Sequence, residues 1–131
     1  MKISRSTGYA LVAVGYIAEN YQDGAVLAAR VSKEYGIPLE YLLKIMQQLV
    51  RANVLKSKRG PRGGFSLARD PKDISMLQII EAVDGPLMSH LHLAEQTHSA
   101  DFSLKMEEIC KKATKEVRQI FEKAKLSELL Q

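Results

Sequence analysis

The fold is indicated most directly by the stretch Lys56-Ser57-Lys58-Arg59-Gly60-Pro61-Arg62-Gly63-Gly64-Phe65-Ser66-Leu67. Lysines alternate with other residues before the glycines, and Phe65 and Leu67 occupy alternate positions after them. This period of two predicts a half-buried β-hairpin, whose turn the glycines supply. Four cations lie on or beside the turn, where they can contact phosphates and an arginine can enter a narrow minor groove: Lys56, Lys58, Arg59 and Arg62.

Two other interpretations of this stretch stay open on its sequence alone. A loop that cradles a nucleotide would place its Lys-Ser/Thr pair at the start of a helix, whereas a strand is predicted to follow here. An ordinary solvated basic hairpin would carry the same charges without binding anything. The residues upstream bear on that choice.

Two predicted helices joined by a very short turn precede the hairpin. The first has apolar residues at helical spacing up to Tyr35 and ends at Gly36, because glycine adopts the left-handed conformation at low cost. Ile37 favours extended geometry since Pro38 follows it, and Pro38 itself suits the first turn of a helix. A second helix is therefore expected to begin almost immediately.

The second helix has two different faces. One is an apolar stripe, formed by Leu42, Ile45, Met46 and Leu49. The other is long and polar, and on its own it would suit a solvated surface helix: Glu40, Lys44, Gln47 and Arg51. A helix, a tight turn, a helix with a polar face and a basic hairpin, in this order, predict a winged helix-turn-helix. In that fold the second helix enters the DNA major groove and the wing contacts the adjoining backbone or minor groove.

Composition and charge are consistent with one domain that binds DNA. The chain has 131 residues, 46% of them hydrophobic, which suffices for one core with an appended helix. Residues 1–72 carry a net charge of +7 and residues 73–131 carry −3, so the cations lie in the predicted DNA reader. The basic run lies on a hairpin rather than on an amphipathic helix, which argues against a membrane surface. A single cysteine fits a reducing cytoplasm.

Less regular sequence follows the hairpin. Ser75 and Gln78 form a predicted capping box that opens a short helix, and Gly85-Pro86 closes it. From about 86 to 100 no period is evident, so we expect an irregular loop, which contains all three histidines: His90, His92 and His98.

A long amphipathic helix is predicted at the C-terminal end. Its apolar stripe recurs every three or four residues through Phe102, Met106, Ile109, Cys110, Ala113, Val117, Ile120, Phe121 and Ala124. We expect this stripe to pack against the same helix of a second copy, and the alternative is packing onto its own domain. The dimer interface is predicted to comprise Phe102, Met106, Ile109, Val117 and Phe121.

Three segments carry a family resemblance: Gly36-Ile37-Pro38-Leu39-Glu40-Tyr41-Leu42, Glu81-Ala82-Val83-Asp84-Gly85-Pro86, and the wing motif Arg59-Gly60-Pro61-x-Gly63-Gly64-Phe65. With them the chain resembles the Rrf2 family of bacterial transcription regulators over nearly its whole length. The family includes regulators of iron-sulfur assembly, nitric oxide response and cysteine metabolism. Its members are dimers crossed through the long C-terminal helix.

The resemblance implies residue roles. The start of the second helix would contact bases, here through Glu40, Tyr41 and Lys44, and Arg59 would enter the minor groove. The complete set of predicted DNA contacts is Pro38, Glu40, Tyr41, Lys44, Gln47, Arg51, Lys56, Ser57, Lys58, Arg59 and Arg62.

The chain departs from the family pattern where many members bind an iron-sulfur cluster. Those members use three cysteines in the loop after the Ala-Val-Asp segment, whereas alignment places His92 and His98 at two of these positions and Leu104 at the third. Glu107 falls where some members have a fourth ligand, and Cys110, the sole cysteine, lies on the apolar stripe, where it suits a core position. A non-standard iron-sulfur cluster or a metal ion on these residues and a loop of solvated histidines both stay open.

These observations predict a mainly α protein with a small β-hairpin wing. Residues 1–86 would form the winged helix-turn-helix DNA-binding domain, 87–100 a sensor-type loop and 101–131 a dimerisation helix. The predicted function is a dimeric, sequence-specific transcription regulator, a repressor that responds to a redox, metal or metabolic signal from an effector protein or metabolite. A winged-helix interaction module that has lost operator binding is the alternative. An enzyme is disfavoured because the histidines have no orienting carboxylates nearby in sequence.

Overall fold

The computed structural model describes residues 2–89 and 91–130, so His90 lies outside the described residues. Two short 3-10 helices, Tyr21–Asp23 and Pro71–Asp73, interrupt the main elements. In chain order these are α1 (Arg5–Glu19), α2 (Ala28–Tyr35), α3 (Leu39–Arg51), β1 (Leu55–Lys58), β2 (Gly64–Leu67), α4 (Met76–Asp84), α5 (Leu93–Gln96), α6 (Asp101–Lys123) and α7 (Leu126–Leu129). The expected architecture, mainly helical with one small hairpin, is confirmed.

The core lies where α1 and α4 pack on α3. Helix α1 contributes a row of small and branched residues, Ala10, Ala13, Val14 and Ile17, all fully buried. Small side chains allow helices to approach closely, and the larger residues of α3 fill the space between them. No helix of the described residues is long and apolar enough to cross a membrane.

The predicted helix-turn-helix is present. Helix α2 ends at Gly36, which adopts the left-handed conformation with φ 66°, and Pro38 is the N-cap of α3. The side chain of Ser32 donates a hydrogen bond to the carbonyl of the buried Ile37, so the turn is closed from inside the domain. The apolar spacing predicted for this helix does not mean burial at every position, because Tyr35, its last residue, is exposed.

The hairpin forms as predicted and is attached to the helices. Its strands are antiparallel, with Leu55 opposite Leu67 and Lys58 opposite Gly64. Phe65 also exchanges backbone hydrogen bonds with Val26, the donor and acceptor atoms lying 2.7 and 2.8 Å apart, so a third segment joins the small sheet. The wing, residues 55–67, is therefore held at a fixed place beside α2. Its alternation is weaker than expected, because Ser57 is exposed.

The segment after the wing is organised by Arg69. Its guanidinium donates hydrogen bonds to the carbonyls of Asn53 and Asp73 and to the side chain of Gln78, at 3.0 to 3.1 Å. Gln78 also completes the predicted capping box with Ser75. One arginine thus joins the end of α3, the 3-10 helix and the start of α4.

Two expectations for the C-terminal third need correction. The loop after α4 is not wholly irregular, because α5 forms one helical turn at Leu93–Gln96. The last helix does not run to residue 131: α6 ends at Lys123, and the chain then returns to the helix-turn-helix part of the fold. There Leu126, which is buried, donates its backbone N–H to the carbonyl of Ile74 at 3.0 Å. A tertiary contact of this kind leaves no periodic signal in the sequence.

Candidate nucleic-acid interface

The outward side of α3 is mainly polar, as predicted. Leu42, Ile45, Met46 and Leu49 are buried, so helical geometry turns the opposite side of the helix to solvent. We call that exposed side the reading face and define it by Glu40, Lys44, Gln47 and Arg51. It offers a carboxylate acceptor, an amide that both donates and accepts, and two cations. This is the set of groups that reads base edges and holds phosphates in a major groove.

Pro38 and Tyr41 occupy the edge of this face rather than its centre. Pro38 is exposed at the turn before α3. The hydroxyl of Tyr41 shares a hydrogen bond with that of Ser6, and its ring packs edge-on against Tyr9 with the centroids 5.7 Å apart. Tyr41 therefore joins α3 to the start of α1. Any DNA contact by Tyr41 would come from a side chain that is already positioned.

A shallow groove of about 590 Å³ runs between the start of α1 and α3. Ser6 forms its wall on the α1 side, and Lys44, Gln47 and Arg51 form the wall on the α3 side. Sequence reasoning missed Ser6, because its contact with α3 crosses 35 positions of the chain. Nothing local to residues 4–8 indicates it.

The wing presents its cations to solvent. Lys56, Lys58, Arg59 and Arg62 are all exposed, as is Ser57. The ion pairs found among residues 2–89 and 91–130 are Lys105–Asp101 and Arg118–Glu81, so none of the wing cations is neutralised there. Unneutralised cations near a helix-turn-helix attract a polyanion strongly, and salt weakens that attraction.

Close approach of backbone segments explains the glycines of the wing motif. A Cβ on Gly63 would lie 2.4 Å from the carbonyl oxygen of Lys58, and a Cβ on Gly64 would lie 2.6 Å from that of Val26. Gly60 adopts φ 107° and accepts a hydrogen bond from Gly63 N–H at 2.9 Å. These glycines therefore set the shape of the tip on which Arg59 and Arg62 stand.

The residues considered for a cofactor are spread over three elements. His92 is the exposed N-cap of α5, and His98 is exposed in a left-handed turn with φ 53°. Glu107 accepts a hydrogen bond from the backbone N–H of Ala94 at 2.8 Å, so its carboxylate positions α5. Cys110 is half-buried on α6 and lines a cavity beneath the loop after α4.

These donors do not fit the family's usual cluster. Iron-sulfur clusters are held mainly by cysteine thiolates, and the chain has one cysteine. In the part of the chain that the structure describes, no three His, Cys, Asp or Glu side chains are grouped so that they could hold a metal ion. Of the two alternatives that the sequence left open, a non-standard cluster or metal ion on His92, His98, Glu107 and Cys110 therefore lacks an assembled set of donors among the described residues.

The apolar stripe of α6 is divided between two sides of the helix. Val117 and Phe121 are half-buried on the side that faces the chain's own domain. Phe102, Met106 and Ile109 are exposed at 58%, 51% and 68%. Ala113 and Ile120, the latter 67% exposed, continue the exposed row at spacings of four and seven residues.

The ion pair between Arg118 and Glu81 connects α6 to α4 and to the loop between them. Arg118 of α6 pairs with Glu81 of α4 and donates a second hydrogen bond to the carbonyl of Leu87 at 3.2 Å. Glu81 also accepts the backbone N–H of Leu87 at 2.8 Å. Both backbone groups of Leu87 therefore have hydrogen-bond partners, Glu81 and Arg118. Sequence patterns did not indicate this contact.

This fold and this surface define a winged helix-turn-helix protein. A family model described as "Rrf2: Iron-dependent Transcriptional regulator" matches residues 3–131, so the chain belongs to the Rrf2 family. The resemblance predicted from the sequence is confirmed.

Individual relatives agree with this assignment. A protein of Aquifex aeolicus described as an HTH-type transcriptional regulator is 42% identical over 81 residues, covering 62% of this chain and 56% of that protein. The HTH-type transcriptional regulator IscR of Photobacterium profundum is 38% identical over 84 residues, covering 64% of this chain and 49% of its own length. The chain therefore spans about half the length of these relatives. They are regulators and not enzymes, in agreement with the prediction.

A solved structure extends the agreement to the fold. The structure of CymR, described as the global cysteine regulator of B. subtilis, matches with a TM-score of 0.79 over 99% of this chain and 96% of CymR. At 21% identity this likeness establishes the fold alone.

Proposed function

We propose that this protein is a dimeric, sequence-specific DNA-binding transcription regulator that acts as a repressor. The observation that carries the proposal is the exposed reading face of α3 next to a wing whose cations have no ion-pair partners among residues 2–89 and 91–130. A winged helix-turn-helix uses these two surfaces together, one in the major groove and one on the adjoining DNA. DNA as the partner also implies a cytoplasmic location in a bacterium.

The chemistry of the side chains assigns a role to each. In the major groove Glu40 is suited to accept a hydrogen bond from cytosine, Lys44 to donate to guanine, and Gln47 to pair with adenine. Arg51, at the end of the face, and Lys56, on the wing, are suited to phosphates, which position the protein without specifying sequence. Arg59 at the wing tip is suited to a narrow minor groove.

The exposed side of α6 supports the proposal of a dimer. We define the seam as Phe102, Met106, Ile109, Ala113 and Ile120, which repeat at intervals of four, three, four and seven residues. This spacing is typical of a helix that packs along another helix. Large exposed apolar patches on monomers mark interaction surfaces, and a second copy supplies the same row by two-fold symmetry. Two copies would then present two reading faces to a pseudo-palindromic site.

We propose that the loop 87–100 receives the regulatory signal, from a metabolite or an effector protein. Leu87 is held between Glu81 and Arg118, so movement of the loop would act on both α4 and α6. Open grooves of about 790 and 500 Å³ adjoin residues 86–89 and provide surfaces for a ligand. A ligand that favours one arrangement of this contact would change the position of the seam relative to the reading face.

Selection from a random pool of DNA duplexes tests the proposed function. We expect enrichment of an inverted repeat, bound by a dimer, at moderate salt. Arg59→Ala should abolish or strongly reduce the enrichment, whereas Lys112→Ala, which removes an exposed lysine from α6, should leave the same motif. If the protein enriches no motif, it has lost operator binding and acts as an interaction module instead.

A further inference from the structure

One of the exposed residues beside the reading face of α3 is a leucine. Leu43 is exposed at 38% in α3, three residues after Glu40 and four before Gln47. Residues at these intervals are neighbours on a helix surface, so Leu43 lies beside the polar groups of the reading face. Neither the apolar stripe nor the polar face predicted for this helix includes Leu43.

The buried side of α3 is complete without Leu43, since Leu42, Ile45, Met46 and Leu49 are buried to 98% or more. Leu43 is 38% exposed, so part of its side chain packs on the domain and the rest faces solvent. The exposed apolar part is available for contact with a partner.

The charges around Leu43 indicate the occupant of this surface. Lys44 follows it directly, Arg51 lies further along the same helix, and the exposed cations of the wing follow α3 in the chain. Such a surface attracts a polyanion, and among nucleic acids the major groove of DNA offers one apolar group, the C5-methyl of thymine. Apolar side chains recognise thymine by contact with that methyl group.

We propose that Leu43 is a specificity-determining residue that contacts the C5-methyl group of one thymine in each half-site of the operator. This inference rests on the proposed function and deepens it, because it names a base and the atom by which that base is read. The polar residues of the reading face discriminate bases by hydrogen bonds. Leu43 discriminates thymine from uracil, which has the same hydrogen-bonding edge and lacks the methyl.

The test uses the duplex enriched from the random pool, synthesised with deoxyuridine in place of thymidine at one position at a time. Wild-type protein should bind about fourfold more weakly when the contacted thymine loses its methyl, as expected for exposing one buried carbon. Leu43→Ala should bind the unmodified duplex more weakly and should be insensitive to the same replacement. Leu104→Ala, the same change at an exposed leucine of α6, should keep the uracil sensitivity of wild type.

The outcomes separate this inference from the proposed function. If wild type binds the selected motif and no deoxyuridine replacement weakens binding, the role of Leu43 is overturned and the proposed function stands. The same conclusion follows if Leu43→Ala loses affinity at the modified position as wild type does. If wild type selects no motif, both proposals fail together.

Discussion

At the scale of single residues, the wing cations are predicted to be unequal. Arg59 stands at the tip beside Gly60, whereas Lys56 lies within β1 opposite Ser66. Arg59→Ala should cost about 1–3 kcal/mol of binding free energy and relax specificity, because an inserted guanidinium reads groove shape. Lys56→Ala should weaken binding mildly on every sequence and reduce the slope of log affinity against log salt by about 0.9.

Binding titrations at several salt concentrations, with the selected duplex and a scrambled one, check this division. On the selected duplex Arg59→Ala should bind more weakly than Lys56→Ala. On the scrambled duplex the two variants should have similar affinities. Equal losses on both duplexes would show that Arg59 acts as a phosphate contact like Lys56.

A carboxylate near the start of α1 makes the stability of the fold depend on pH. Asp84, the last residue of α4, accepts hydrogen bonds from the backbone N–H and side chain of Ser4, the N-cap of α1. Burial raises the pKa of Asp84, but hydrogen bonding by Ser4 and by the side chain of Thr7 together outweighs burial, so the pKa lies below its ordinary value. The folded state therefore favours the ionised carboxylate. Its stabilisation is present above about pH 4 and is lost as the pH falls through the lowered pKa.

Asp84→Asn should accordingly lower the free energy of unfolding at pH 7 by under about 1 kcal/mol, since the group is exposed and screened by solvent. The difference from wild type should shrink in acid, where wild type also loses the charge. Urea denaturation at pH 7 and at successively lower pH measures it. Glu95→Gln, which removes an exposed carboxylate from α5, is the control and should show no comparable convergence. A constant difference across pH would mean that the charge of Asp84 contributes nothing.

At the scale of elements, local signals in the sequence predicted most boundaries. Gly36 ended α2 and Ser75 with Gln78 opened α4, because these signals act within one helical turn. Contacts between distant segments were not predictable from such signals. The bridge between Val26 and Phe65 and the return of Leu126 to Ile74 depend on tertiary packing, which leaves no local pattern.

The candidate site shows the same division. Helical period placed Glu40, Lys44, Gln47 and Arg51 outward, and the structure agrees. Helical period could not decide which residues of the α6 stripe face the chain's own domain, because the stripe is broad enough to serve two partners. Helical period did not assign Leu43 to either face, because it lies between the apolar stripe and the polar residues.

The attachment of the wing to the segment before α2 depends on Gly64. It adopts φ 136°, and a Cβ there would lie 2.6 Å from the carbonyl oxygen of Val26. Gly64→Ala should therefore cost about 2 kcal/mol or more, through backbone strain and loss of the bridge between Val26 and Phe65. Gly8→Ala is the matched control. Its Cβ would meet nothing within 4 Å inside α1, so it should stabilise the protein by about 0.5–1 kcal/mol.

Chemical denaturation of the two glycine variants measures both changes, and their signs should be opposite. Gly64→Ala should also weaken DNA binding beyond its effect on stability, because the wing would no longer be held beside α2. A Gly64→Ala variant as stable as wild type would indicate that the bridge to Val26 is dispensable.

At the scale of the whole molecule, α6 is attached to the winged helix-turn-helix domain at two places. Arg118 pairs with Glu81 in α4, and just beyond the end of α6 the backbone of Ala124 accepts a hydrogen bond from Met76 N–H at 2.9 Å. Leu126 then fills a buried position next to Ile74. Because the helix cannot swing freely, joining two copies along the seam would set the distance between their two reading faces. Half-site spacing in the selected motif would report that geometry.

The seam itself gives the last prediction. Ile109 is 68% exposed near the middle of the row, so in an isolated chain Ile109→Glu should change stability by no more than about 0.5 kcal/mol. Across a two-fold seam, however, the same change brings two desolvated carboxylates together. We therefore expect a folded monomer. Insoluble protein would also indicate that the interface is broken. Leu104→Glu places the same charge on another side of α6 and should remain a dimer. Light scattering reports the mass and circular dichroism the fold. A folded, soluble dimer from Ile109→Glu would contradict the proposed seam and show that two copies, if they associate, do so through another surface.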